Sequence, residues 1–227
     1  MSVNVLDELN IEKMRENFLK YTTKAFRLLP KMEKIHILDI GCGSGTPSIE
    51  LAKLSDGEII GIDIDQSALD QFKLKIENKG LSNRIKIFNR SIYDTGFPTE
   101  NFNIIWDEGV LHILEIKKSL KECNRILKLN GFLVIGETIK WIKNNLEAFP
   151  KYGFIIFNKF LLPEESWWKE YYLPMEIKIK QLYSKFKNSK ELEKLKAYEK
   201  EINMVKKNPK KFDCAFYIFQ KNRKVMR

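Results

Sequence analysis

IHILDIGCGSGTPSIELAK, residues 35–53, is the stretch that decides the fold. IHILDI (35–40) is short and apolar apart from His36 and Asp39, as a strand buried on both faces would be. It runs straight into GCGSG (41–45), after which Thr46 can cap a helix and Pro47 can occupy its first turn, the helix ending near Leu54. The order is strand, tight loop, helix, and it repeats downstream. EIIGID (58–63) reads as a strand and QSALDQFKLKIENKG (66–80) as a helix closed by Gly80. RIKIFN (84–89) and FNIIWD (102–107) read as strands, KKSLKECNRILKL (117–129) as a helix and GFLVIGE (131–137) as a strand. Alternation of this kind, with continuously apolar strands, predicts an α/β protein with a doubly wound, mostly parallel sheet covered on both faces.

On the N-terminal side, residues 7–29 keep a helical period through Leu9, Met14, Phe18, Tyr21, Ala25, Phe26 and Leu29, with Pro30 closing the helix. On the C-terminal side the alternation loosens into a short helix near 141–148, a strand FIIFNKF (154–160) and an aromatic segment PEESWWKEYYLP (163–174). A long charged helix over 176–207 then leads to a last strand, FDCAFYIFQ (212–220), expected to run antiparallel. The chain is expected to be one domain: an N-terminal helix (1–34), a core (35–138), and a cap with the final strands (139–227), the charged helix forming the cap insertion.

Composition narrows the class. At 227 residues, 44% hydrophobic and 31% charged, the chain has globular proportions and ample length for a buried core. Three cysteines, without paired CxxC spacing, fit neither a disulfide framework nor a zinc site, so no metal is expected and a reducing, cytoplasmic compartment is. No basic region followed by an apolar stretch marks a leader, and no apolar run approaches the ~20 residues of a membrane span. The net charge of +10 suggests nucleic acid until it is partitioned. Residues 1–150 carry 21 Lys and Arg against 21 Asp and Glu, so the whole excess falls in residues 151–227, with 19 against 9. There the run KNSKELEKLKAYEKEINMVKKNPKK (187–211) is most simply a solvated helix face with Lys and Glu paired at helical spacing.

In a parallel α/β sheet the ligand crevice lies beyond the C-terminal strand ends, beside the first strand. Asp39, Gly41, Gly43 and Gly45 fall there. A dinucleotide fingerprint GxGxxG needs its third glycine at position 46, where this chain has Thr46; the spacing is DxGxGxG instead. An acid two residues before the first glycine repels a pyrophosphate but suits a cationic ligand. S-adenosylmethionine, with a sulfonium and an ammonium, has that charge.

The segment ILDIGCGSGTPSIELAK (37–53) resembles the first motif of class I S-adenosylmethionine-dependent methyltransferases, whose fold is Rossmann-like. FNIIWDEGVLHIL (102–114), LLPEESWWKEYYLPMEIKIKQLY (161–183) and KKFDCAFYIFQK (210–221) are similar to a small-molecule subgroup in bacteria and archaea, akin to the methyltransferases of ubiquinone and menaquinone biosynthesis. The resemblance implies that Gly41, Gly43 and Gly45 approach the methionine and ribose portions, that Asp39 positions the amino-acid end, and that Asp63 takes the ribose hydroxyls. It also places Ile64, Ser91, Ile92 and Asp107 against the cofactor, Ser91 and Ile92 flanking adenine. Many relatives carry Asp where this chain has Ser91, and Asp94 stands nearby as a substitute. Relatives continue EG with an IGF-type sequence where this chain has Val110-Leu111-His112-Ile113-Leu114, so substrate identity transfers less well than cofactor use.

The activity this implies is methyl transfer to N, O or S of a small acceptor; the alternatives are an RNA methyltransferase using the basic C-terminal third, or a non-catalytic protein that only binds the cofactor. Glu108 and His112 are the side chains available to orient or deprotonate an acceptor, against the plainer readings of a loop acid and a packed histidine. Cys42 reads as a small packed residue. Trp141, Trp167, Tyr171 and Tyr172 are candidates to line the acceptor pocket, against the plainer reading of core. At helical spacing Trp167 shares a face with Tyr171, and Trp168 with Tyr172. Nucleic acid and membrane partners are not expected, and oligomeric state is not legible.

Overall fold

The computed structural model describes residues 5–186 and 189–222, apart from the side chains of Ser189 and Glu191. Among these residues seven strands form one sheet: β1 (His36–Ile40), β2 (Glu58–Asp63), β3 (Ile85–Asn89), β4 (Phe102–Glu108), β5 (Leu127–Thr138), β6 (Phe154–Leu161) and β7 (Cys214–Lys221). The order is β3-β2-β1-β4-β5-β7-β6. β3-β2-β1-β4-β5 is parallel, while β5-β7-β6 is antiparallel. The mostly parallel α/β sheet expected from the sequence is therefore present, together with the reversed last strand.

Ile37, Leu38, Ile59, Ile62, Ile104, Ile105, Leu133, Val134 and Ile135 are all buried in the parallel strands, because helices cover both faces. Registers align the strand ends. Asp39 lies opposite Trp106 and Gly61, Ile40 opposite Asp107 and Ile62, and Asp107 opposite Ile135. The residues just past these positions form one rim at the C-terminal edge, and β1, between β2 and β4, marks the switch point.

Several expected elements differ in their boundaries. The single N-terminal helix is three, α1 (Val5–Leu9), α2 (Ile11–Glu16) and α3 (Leu19–Arg27). The first break falls at Asn10, which takes a left-handed φ of 49° and caps α2 by accepting from the Lys13 N–H, and the second falls at Asn17 and Phe18. Asn tolerates that conformation better than most residues and its side chain competes for backbone donors, so apolar periodicity continued across a break it could not reveal. α4 (Thr46–Leu54) and α5 (Gln66–Asn78) follow the expectation, except that Gly45, not Thr46, is the cap of α4. The sixth helix, α6 (Ile116–Ile126), ends three residues early, because Leu127 already pairs with Phe102 at the foot of β5. α7 (Ile139–Asn145) and the one-turn α8 (Ala148–Lys151) follow β5. The long charged helix is two, α9 (Leu173–Lys185) and α10 (Ser189–Lys207), with Phe186 extended; residues 187 and 188, inside the expected helix, lie outside the described residues.

The chain divides into two compact units. One comprises the described part of residues 1–20 with Leu162–Cys214, and is helical; the other comprises Tyr21–Leu161 with the described residues from Ala215 onward, and holds the sheet. The helical unit has its own core, built on Val5, Leu9, Met175, Ile179, Leu182, Leu195, Ile202 and Val205. No helix among the described residues is long and apolar enough to cross a membrane.

Candidate functional site

Five carboxyl groups stand along the C-terminal rim of the parallel strands: Asp39 on β1, Asp63 on β2, Asp107 and Glu108 on β4, and Glu137 on β5. Among the described residues no lysine or arginine pairs with any of them; their one ion-pair partner is His112. Nothing in a fold's stability calls for such a cluster, since each buried acid costs free energy unless it is paired.

The loop after β1 turns under these acids. Gly43 has φ 51° and open space where a side chain would start, and its N–H donates to Asp63 Oδ2 at 2.8 Å. Asp63 Oδ1 accepts from the Asp65 N–H at 2.9 Å. A carboxylate oxygen accepts more than one hydrogen bond, so Asp63 keeps capacity toward two hydroxyl groups. Asp39 is buried and accepts from the Ser48 hydroxyl of α4. Its carboxyl is pushed up to about 7, first by burial and then by Glu108 and Asp63, against the lowering effect of Ser48.

Asp107, fully buried, accepts from the Val110 and Leu111 N–H groups through Oδ1, while Oδ2 has no partner. Burial and then the neighbouring Glu137 hold its carboxyl well above the ordinary range, against those two N–H groups. Glu108 accepts through Oε1 from the Thr22 hydroxyl at 2.8 Å and from the Trp106 indole N–H at 2.7 Å, and burial raises it to about 7. The Cys42 thiol is pushed far up by burial and then by Asp39, which fits a packed residue.

Ser91 accepts from the Tyr93 N–H, Ile92 is buried in the core, and Ile64 is exposed on the rim. Asn89, Arg90, Ser91, Asp94, Thr95 and Gly96 line a concavity of about 450 Å³ at the end of β3. Trp141 lies on α7 and packs against the sheet core, its N–H capped by Thr138.

Trp167, Tyr171 and Tyr172 belong to the helical unit. Residues Trp168–Tyr172 are π-helical, so the expected division of faces fails there: Trp167 meets both Tyr171 and Tyr172, at 5.2 and 6.2 Å between ring centroids. Both tyrosines are buried in that unit's core, and the Tyr172 hydroxyl donates to Glu201 at 2.7 Å. These contacts give all three packing roles within their own unit.

Reading the sequence alone misses Glu137, Thr22, Ser48 and Trp106. Glu137 had a visible signal: GET closes β5 as DEG closes β4, an acid at the same edge of the neighbouring strand. Thr22 reaches Glu108 from α3, 86 residues away in the chain, and had none.

The raised carboxyls carry a sign. Asp39 is more readily protonated folded than unfolded, so its contribution to stability is fully present below the unfolded value near 4 and is lost as pH rises through about 7. Asp39→Asn is accordingly expected to stabilise the ligand-free protein, and by more at about pH 8 than at about pH 4. Urea midpoints at the two pH values check this, and an equal or opposite difference counts against the buried-acid assignment.

Comparison with known proteins finds similar chains. Residues 38–135 match a family model described as a methyltransferase domain. Human EEF1A lysine methyltransferase 2 is 31% identical over 139 residues, 57% of this chain and 58% of that protein. Among the first eight curated relatives, the matched span covers 28–58% of the relative's own length. Two solved structures show the same fold: the cyclase SpnF, with TM-score 0.75 at 16% identity over 89% of this chain and 80% of that one, and a SAM-dependent methyltransferase from Geobacter sulfurreducens in complex with S-adenosyl-L-homocysteine, with TM-score 0.67 at 16% identity over 90% of each chain. Over residues 38–135, the span that holds the glycine loop, Asp63, Asp107 and Glu108, this chain is similar to a methyltransferase domain.

Proposed function

We propose that this protein binds S-adenosylmethionine at the acidic rim and transfers its methyl group to N, O or S of a small-molecule acceptor. The observation that carries the reading is the row of five carboxyl groups at the strand rim that have no Lys or Arg partner among the described residues, one of which, Asp63, holds the open Gly43 backbone. Three features fit the cofactor. The acids suit a sulfonium and an ammonium, a Cβ at Gly43 would enter the space where a ligand lies against the loop, and Asp107 Oδ2 is a buried acceptor without a donor.

When bound, the cofactor supplies an electrophilic methyl group on a sulfur that leaves as a neutral thioether. The chain's residues then have little covalent work and mainly align and dehydrate the reactants. Asp63 holds the ribose hydroxyls, Gly41, Gly43 and Gly45 bring backbone close to the ribose and methionine portions, and Asp39 with Asp107 meets the positively charged end. Ile64, Ser91 and Ile92 flank the adenine. Glu108, tethered by Thr22 and Trp106, faces the acceptor side. A reducing, cytoplasmic setting accords with three buried cysteines.

Incubation with methyl-labelled S-adenosylmethionine and a fractionated cell extract, with and without nuclease, tests the proposal. Label is expected in the low-mass fraction regardless of nuclease treatment. Label confined to RNA or to protein replaces the small acceptor with that polymer, and cofactor binding without transfer leaves only a binding protein.

A further inference from the structure

We infer that His112 takes the proton released by the acceptor, that Glu137 positions it for this, and that the acceptor's nucleophile is consequently a protic one, a hydroxyl or an ammonium. The inference deepens the proposed function and rests on it.

Glu137 is the penultimate residue of β5 with only 3% of its side chain exposed, and its two oxygens are engaged by three donors. Oε1 accepts from the His112 backbone N–H at 3.1 Å and meets imidazole Nδ1 at 3.0 Å; Oε2 accepts from the Thr138 N–H at 3.3 Å. A carboxylate can only accept, so Nδ1 carries the hydrogen and the neutral ring keeps its lone pair on Nε2. The His112 side chain is 47% exposed, which leaves that nitrogen reachable. A histidine serving only as packing would be buried, and one belonging only to the surface would not be fastened through both its main-chain and ring nitrogens to an almost fully buried acid.

The titratable groups next to this pair are Asp107 on β4, which neighbours Glu137, and Asp39 on β1, which neighbours Asp107. A positive charge arising on the imidazole is met by Glu137 at Nδ1. Glu108, the other candidate, is tied on Oε1 to Thr22 and Trp106, which fits holding better than proton relay.

The step balances as follows. The bond between the acceptor's O or N and the methyl carbon forms as the sulfur–carbon bond breaks, and that electron pair leaves on sulfur. The proton of the O–H or N–H passes to Nε2 before or during attack, its bonding pair staying on the acceptor atom. The resulting imidazolium keeps its Nδ1–H on Glu137 and returns the proton to water from the exposed side of the ring.

The chain has two histidines, so the ring tautomer can be read without a substrate. Long-range proton–nitrogen NMR spectra of the ligand-free, nitrogen-15-labelled protein are expected to show His112 as the Nδ1–H tautomer, with His36→Gln supplying the assignment. Glu137→Ala should collapse this to a mixture, and Glu137→Gln, which keeps an acceptor oxygen, should retain it. In the labelled-extract assay His112→Gln and Glu137→Ala should each slow transfer on the order of 100-fold, with Glu137→Gln between them and wild type. His112→Gln should leave calorimetric affinity for S-adenosylmethionine within about threefold of wild type. An Nε2–H tautomer in the wild-type protein, or transfer by His112→Gln within about threefold of wild type, overturns the inference alone. Wild-type protein that transfers no label overturns the proposed function, and this assignment with it.

Discussion

Asp63→Ala is expected to weaken binding of S-adenosylmethionine at least tenfold, a loss of about 1.5–3 kcal/mol. Asp63 closes β2 at the rim, and its two oxygens already hold the Gly43 and Asp65 N–H groups in place. Losing the carboxylate removes the acceptor for two ribose hydroxyls and also releases the loop that carries Gly43, so both direct contact and preorganisation go together. Titration calorimetry with S-adenosylmethionine and S-adenosylhomocysteine measures the effect. Similar losses for the two ligands place the contact on the shared nucleoside; unchanged affinity removes Asp63 from the site.

Gly45→Ala is expected to lower folding stability by roughly 2–5 kcal/mol, whereas Gly43→Ala should cost roughly 1–2 kcal/mol in folding. Both glycines take left-handed backbone, with φ 83° at Gly45 and 51° at Gly43. They differ in what a side chain meets. A Cβ at Gly45 would lie 2.0 Å from the Phe72 ring, itself fully buried between α5 and the sheet, while a Cβ at Gly43 meets nothing within 4 Å. A side chain at Gly45 is excluded by packing against Phe72, whereas one at Gly43 would enter open space on the ligand side, so Gly43→Ala should show the larger relative loss in cofactor affinity. Urea denaturation and calorimetry on the two variants separate these roles, and equal stability losses would contradict the distinction.

Much of the fold was legible because the parallel strands are short, apolar and punctuated. In β1, β2 and β4 the buried runs ending in Asp39-Ile40, Ile62-Asp63 and Asp107-Glu108 can be read as strand ends without knowing their neighbours. Where local signals were ambiguous, reading failed. Helical period ran on through Asn10 although the backbone is left-handed there, and Leu127–Leu129 satisfied a helix pattern while pairing with β4 drew the chain into a strand. The aromatic faces failed for a different reason: a π-helical turn at Trp168–Tyr172 shifts the angular spacing, so Tyr171 and Tyr172 are both buried.

The sequence by itself determined the strand-loop-helix unit, its DxGxGxG spacing and the acids that close β1, β2 and β4, because each depends on residues adjacent in the chain. Only the tertiary structure decided which acids are held by what. Thr22 reaches Glu108 and Glu137 reaches His112 across 86 and 25 residues, and the raised carboxyls of Asp39 and Glu108 come from burial. Desolvation and long-range hydrogen bonds depend on the packing of several strands at once, and no local stretch of sequence encodes that.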